Sequence, residues 1–155
     1  MIHSKNRNKG YTLIELMVVV GIIALLLGLS LNGLNNLIQW NKLNVAAALL
    51  SSELKNIHSR AFYEGVYYKL QFWPTLDRYR YRIYRQTELI QDIILADIDL
   101  FNTNFTDNNL YFYPSGVPSM GGTVTLKNKR GKVLYVIMTP VTARVRVSPN
   151  PPENW

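Results

Sequence analysis

Cysteine is absent from the 155 residues, which removes disulfide staples, thiolate nucleophiles and Cys-based zinc sites together. Histidine is nearly absent, with only His3 and His58, and one His on a helix is a poor basis for a metal site or a general base. Proline is missing from residues 11–73, so nothing in that stretch removes a helical N–H. Acids are missing from residues 108–152 and basic residues from 86–107. There is no HExxH, no G-x-S-x-G and no Walker-type GxxxxGKS or GxxxxGKT, so the standard zincin, nucleophile-elbow and P-loop chemistries are excluded. Asp92, Asp97, Asp99 and Asp107 lack the spacing of an EF-hand loop and read as solvated charges. The expectation is a non-enzymatic chain with no metal and no cofactor.

The first feature present is an uncharged run. From Leu16 to Asn41 there is no charged residue, and Leu16 to Leu31 is almost wholly apolar. Counted from Leu13, the stretch matches the roughly 20 helical residues needed to span a bilayer core. A secretory signal also begins with basic residues and an apolar run. Its apolar region, however, is usually about 7–15 residues and ends in an A-x-A-like site, which is missing before Asn32. Lys5, Arg7 and Lys9 precede the run, so the positive-inside rule predicts a cytoplasmic amino terminus and an exported carboxy-terminal part. Glu15 stands out, because a carboxylate among apolar residues in a membrane calls for a partner.

Beyond the apolar run, Leu34, Leu37, Ile38, Leu43, Ala47, Leu50, Leu54, Ile57 and Ala61 recur mostly at steps of three and four. That spacing predicts an amphipathic continuation of the same helix, ending near Glu64-Gly65. The period then changes. Residues 66–73, 78–84, 110–113, 123–126, 133–138 and 144–147 read as six short strands, separated by Pro and Gly punctuation. Leu89, Ile93 and Ile94 permit strand or helix over 86–108, and 102–109 reads as loop. The tail from Ser148 to Pro152 reads as extended. The expected fold class is α+β: a long N-terminal helix, transmembrane in its first half and amphipathic in its second, packed on a β-sandwich-like antiparallel head.

Two basic groups are candidate binding residues. Arg144 and Arg146 alternate on a predicted strand, placing them on one face about 7 Å apart, a spacing comparable with successive phosphates. Lys127, Lys129, Arg130 and Lys132 surround a predicted hairpin turn with no acid nearby in sequence. Strict alternation over 78–85 likewise puts Arg78, Arg80 and Arg82 opposite Tyr79, Tyr81 and Ile83, which reads as an ordinary half-buried strand. The charge division, five acids in 86–107 and six cations in 108–152, suggests an acidic end and a basic end of the head.

The segment Lys9-Gly10-Tyr11-Thr12-Leu13-Ile14-Glu15-Leu16 resembles the processing site of type IV prepilins and pseudopilins. The resemblance implies cleavage after Gly10 by prepilin peptidase, methylation of the new amino terminus at Tyr11, and an assembly role for Glu15, which neutralises the amino terminus of an adjacent subunit. It divides the chain into a leader (1–10), a transmembrane half-helix (11–35) and an exported head (36–155). The carboxy-terminal pattern, Ser115-Gly116, Gly122 to Leu126, Gly131 to Val133 and Ala143 to Val147, is similar to that of GspH/FimT-type minor pilins. Some minor pilins of this type that bind DNA in natural transformation carry G-R-x-R where this chain has Ala143-Arg144-Val145-Arg146. The resemblance therefore implies other pilin subunits, the peptidase and the inner membrane as partners. It also implies a place in a pilus at the cell surface, and non-specific DNA binding through Arg144 and Arg146. An alternative is a type II secretion minor pseudopilin acting in protein export.

Overall fold

The computed structural model describes residues 11–74, 79–140 and 142–152, leaving aside the side chains of 29–33. The chain divides into two units, residues 1–37 and 38–155. Helix α1 runs Leu13–Glu64, ending where the sequence predicts. Gly65 follows in the left-handed conformation (φ +66°), the position where a residue with a Cβ is penalised and a helix commonly terminates.

In the first unit the large apolar side chains from Leu13 to Leu27 are each at least 50% exposed. Among the described residues no helix is long and apolar enough to cross a membrane. Side chains are described there for residues 11–28 and 34–37, which leaves out the last residues of the predicted apolar run.

In the second unit Leu43, Ala47, Leu50, Leu54, Ile57 and Ala61 are buried, as is Ala46. This is the predicted stripe, with the expected periodicity of a helix face turned to a core. Leu34 and Leu37, residues of the first unit, and Ile38 continue it in sequence but are exposed. Two antiparallel four-stranded sheets share this core with the helix. One has the order β3-β2-β1-β5 and the other β4-β6-β7-β8, where β1 is Tyr68–Phe72, β2 Arg80–Arg85, β3 Glu88–Ile94, β4 Ile98–Thr103, β5 Asn109–Phe112, β6 Gly122–Asn128, β7 Val133–Met138 and β8 Val145–Ser148. Tyr68, Leu70, Phe72, Tyr81 and Ile83 from the first sheet and Leu100, Val124, Leu126, Val136 and Met138 from the second join one buried cluster with the helix stripe. Each Leu or Ile so buried contributes about 1.5–3 kcal/mol.

Among the described residues the head therefore has eight strands where the periodicity predicts six. The two additional strands, β3 and β4, lie in the stretch left open between helix and strand. The predicted loop over 102–109 shrinks to a short 3₁₀ turn at Thr106–Asn108 with its flanks, because Asn102 and Thr103 finish β4 and Asn109 starts β5. Arg78 lies outside the described residues. Tyr81 and Ile83 are buried and Arg80 and Arg82 half-buried, as alternation requires. The acids of the middle segment are not merely solvated. Asp92 accepts from Arg80 Nη1 (3.3 Å) and Arg82 Nε (3.0 Å), and Asp97 accepts from Lys42 (2.6 Å) and Lys129.

Polar contacts fasten the sheets to the helix. His58 Nε2 donates to the Gly116 carbonyl at 2.7 Å, so this His packs against the loop after β5. Arg60 and Arg85 donate to the two oxygens of Glu64, and the Tyr68 hydroxyl joins them at 2.7 Å. These bonds hold the Glu64 carboxyl below its usual range, the Tyr68 bond being the largest cause. Asn128 is buried at the β6–β7 turn. Its carbonyl accepts from the Arg130 and Lys132 amides (3.0 and 2.9 Å), and its amide donates to the Gln39 carbonyl at 3.2 Å. One side chain thus shapes the hairpin and ties it to the helix.

Candidate functional site

Gly10, the proposed cleavage residue, lies outside the described residues, as do Lys5, Arg7 and Lys9. Tyr11 is 91% exposed. The start of α1 is a capping box. Thr12 Oγ1 accepts from the Glu15 amide (3.3 Å), while Glu15 Oε2 accepts from both the Thr12 amide and the Thr12 hydroxyl (2.9 Å each). This reciprocal arrangement satisfies helix-start donors that would otherwise be left without a partner in the helix. Sequence reasoning treats Glu15 as an assembly charge and passes over the T-x-x-E signature that also makes it a cap. The two roles are compatible, because both donors from Thr12 converge on Oε2 and neither occupies Oε1.

The second candidate region is the outer side of β8. Val145 is buried while Arg144 and Arg146 are exposed. Both arginines line one groove of about 680 Å³, walled by Ile137, Met138, Pro140, Pro151 and Pro152. Arg146 stands opposite Ile137 in register, and the Arg144 carbonyl accepts from the Thr139 amide at 3.0 Å. Among the described residues neither arginine has an ion-pair partner. Ala143, just before them, adopts φ +48°, a left-handed conformation that costs an L-residue with a Cβ about 1–2 kcal/mol. It is the position where the G-R-x-R pattern has glycine.

The hairpin cations do not extend this groove. The β6–β7 turn lies beyond Val133, whereas β8 pairs with β7 from Tyr135 to Met138, so the turn and Arg144 flank opposite ends of β7. The hairpin cations are also largely engaged. Lys129 pairs with Asp97, Lys127 Nζ lies over the Phe101 ring (4.7 Å) and Lys132 Nζ over the Trp40 ring (5.1 Å). Arg130 is exposed at the turn. The turn is free of acids only in sequence, because the fold brings Asp97 to it and sets Asp99 opposite Lys127. Lys129 and Lys42 hold the Asp97 carboxyl down at about 2.

A family model for the prokaryotic N-terminal methylation motif matches residues 5–31. No curated protein matches the chain in sequence. Among solved structures, the chain is similar to the minor pseudopilin EpsH from the type 2 secretion system of Vibrio cholerae, at 12% identity and TM-score 0.56 over 69% of this chain and 96% of that one. It is also similar to the type IV minor pilin FimU of Pseudomonas aeruginosa in two crystal forms. One gives 14% identity and TM-score 0.57 over 70% of this chain and 89% of that one. The other gives 13% identity and TM-score 0.55 over 68% and 92%. The chain thus carries an N-terminal methylation motif, and its helix packed on antiparallel sheets is the pilin-like α+β fold.

Proposed function

We propose that this chain is a minor type IV pilin or pseudopilin: a structural subunit, not an enzyme, that enters or primes a pilus-like filament. The observation that carries the reading is the capped helix start, Thr12 with Glu15, within a methylation motif on a chain with the minor-pilin fold. In this reading prepilin peptidase cuts after Gly10 and the new amine at Tyr11 is methylated. Residues 11–35 hold the chain in the inner membrane with residues 36–155 exported, until a neighbouring subunit's amine meets Glu15 and the chain leaves the bilayer for the filament and the cell surface. Opposite charges attract far more strongly among packed apolar helices than in water, and either alone pays desolvation. Mass spectrometry of the mature chain tests this: a methylated amino terminus at Tyr11 is expected, and an uncut chain retaining Met1 refutes it. Glu15→Ala is expected to abolish incorporation into filaments while Glu15→Asp retains part of it. Normal incorporation of Glu15→Ala defeats the charge-pairing step.

The finer reading is non-specific DNA binding by the head, as in uptake for natural transformation. It is supported by Arg144 and Arg146 sharing one groove without an acid partner. A type II secretion role in protein export is the alternative, and the likeness to EpsH bears on it as that to FimU bears on the pilus. Loss of transformation without loss of exoprotein secretion on deleting the gene favours the first, and the converse the second.

A further inference from the structure

On the same outer face of the second sheet, beyond Pro152, lies a smaller hollow of about 160 Å³ with a different character. One row of register partners crosses all four strands, Asn102 on β4, Thr125 on β6, Tyr135 on β7 and Ser148 on β8. Directly opposed residues share a face. Val124 and Leu126 point into the core, so Thr123 and Thr125, which alternate with them, lie on the other side of the sheet. Asn102, Asn104, Thr123, Thr125 and Tyr135 line the hollow, Pro152 closes one side, and no charged residue takes part.

The polar groups are fixed and incompletely used. Asn104 Oδ1 accepts from the Thr123 amide at 2.7 Å, and Asn102 Oδ1 accepts from the Thr103 amide at 2.9 Å. Both carbonyl ends are committed, so both carboxamide NH₂ groups remain as donors. Thr123 is only 8% exposed, and among the described residues its hydroxyl has no hydrogen-bond partner. A hydroxyl buried without a partner costs free energy that a bound polar ligand recovers.

We propose that this hollow is a subsite for a neutral saccharide, one pyranose ring deep. An ion has no counter-charge here, and an apolar molecule leaves the Thr123 hydroxyl and the two carboxamides unpaired. Vicinal sugar hydroxyls each donate and accept, which suits fixed NH₂ donors beside Thr hydroxyls. The Tyr135 ring supplies an apolar surface for the C–H face of the sugar, with its hydroxyl as a further partner. The volume is below the roughly 300–1,000 Å³ of sites for drug-sized ligands and suits a single ring. The site is separate from the arginine groove across Pro152, so the inference does not depend on DNA binding.

Saturation-transfer NMR on the full chain, in a detergent without a sugar headgroup, tests this with a panel of neutral hexoses and N-acetylhexosamines at millimolar concentration. The expected result is transfer to ring protons of at least one sugar. Thr123→Val, which keeps the shape, and Asn102→Ala, at an exposed position, should each weaken it about three- to tenfold with the melting midpoint retained. Tyr135→Phe should keep the ring-proton transfer and weaken affinity less, and Arg144→Ala with Arg146→Ala should leave it unchanged. No transfer to any sugar, transfer that survives the folded Thr123→Val, Asn102→Ala double variant, or transfer lost with the arginines instead overturns the proposal.

Discussion

Replacing Arg144 and Arg146 together by alanine removes two guanidiniums that lie in one groove without an acid partner. If each covers one phosphate, the log–log salt slope of DNA binding carries about 0.9 from each, or about 1.8 for the pair. Raising salt from 50 to 200 mM then weakens the native contact about twelvefold through these two residues alone. The double variant should lose that part of the dependence for every sequence alike, because phosphate contacts position without specifying. The hairpin variant Lys127→Ala, Lys129→Ala, Lys132→Ala should change the slope less, although it removes one more charge. Its cations are held by Asp97, Phe101 and Trp40 and stand at the far end of β7 from Arg144. The assay is a mobility shift with the full chain in non-ionic detergent and a random-sequence duplex at those two salt concentrations. An unchanged slope in the arginine variant, or a larger change in the lysine variant, refutes the reasoning.

Leu54, 1% exposed in the helix stripe, should cost about 2–5 kcal/mol when cut to Ala, lowering the thermal midpoint by circular dichroism by at least about 4 °C. Ala143→Gly should raise stability by about 0.5–1 kcal/mol in urea unfolding, because relief of the φ +48° backbone exceeds the entropy glycine adds to the unfolded chain. For Asp97, whose carboxyl falls from 3.8 to about 2 in the fold, the contribution is present above roughly pH 4 and lost as pH falls through about 2. The slope of the melting midpoint between pH 4 and 2 should therefore flatten in Asp97→Asn, with the residue left by Glu64, which shifts the same way. Thr12→Ala, which removes the hydroxyl of the capping box, should cost about 1 kcal/mol at the helix start and speed hydrogen exchange of the Glu15 amide in detergent.

How much was legible depends on how each residue is buried. Leu43 to Ala61 pack on one side only, so the helical period survives in the sequence. Alternation in Arg80-Tyr81-Arg82-Ile83 survives for the same reason. Strand β3 is different: it is an edge strand, exposed or half-buried along its whole length, and no burial pattern constrains Leu89, Ile93 and Ile94 to alternate. Its pairing with β2 also slips between Ile83 and Tyr84, and that of β4 with β6 slips between Leu100 and Asn102, so the period breaks where it would have been read. Asp107 and Asn108 take left-handed backbone in the short turn before β5, a conformation Asp and Asn tolerate, which makes the region look like a long loop. The pairing of Arg144 with Arg146 was legible because they are two residues apart. The neutral hollow was not, since its row is assembled from four strands.

The charge division of the sequence shows why proximity in sequence misleads. Five acids in one segment and six cations in another suggest two poles, yet an antiparallel sheet sets the segments side by side. Strands β4 and β6 are neighbours, so Asp99 faces Lys127, and the turn into β4 brings Asp97 to Lys129. Asp92 on β3 takes Arg80 and Arg82 from β2. Asp92 and Asp97 are thus spent inside the head on cations next to them in space, and among the described residues some of the cations the topology puts out of their reach have no acid partner. Arg144 and Arg146 are such cations because β8 is at the opposite edge of its sheet from β4. The unpaired positive charge there follows from strand order as much as from composition. A variant that brought an acid to Ile137, opposite Arg146, should quench it without touching either arginine.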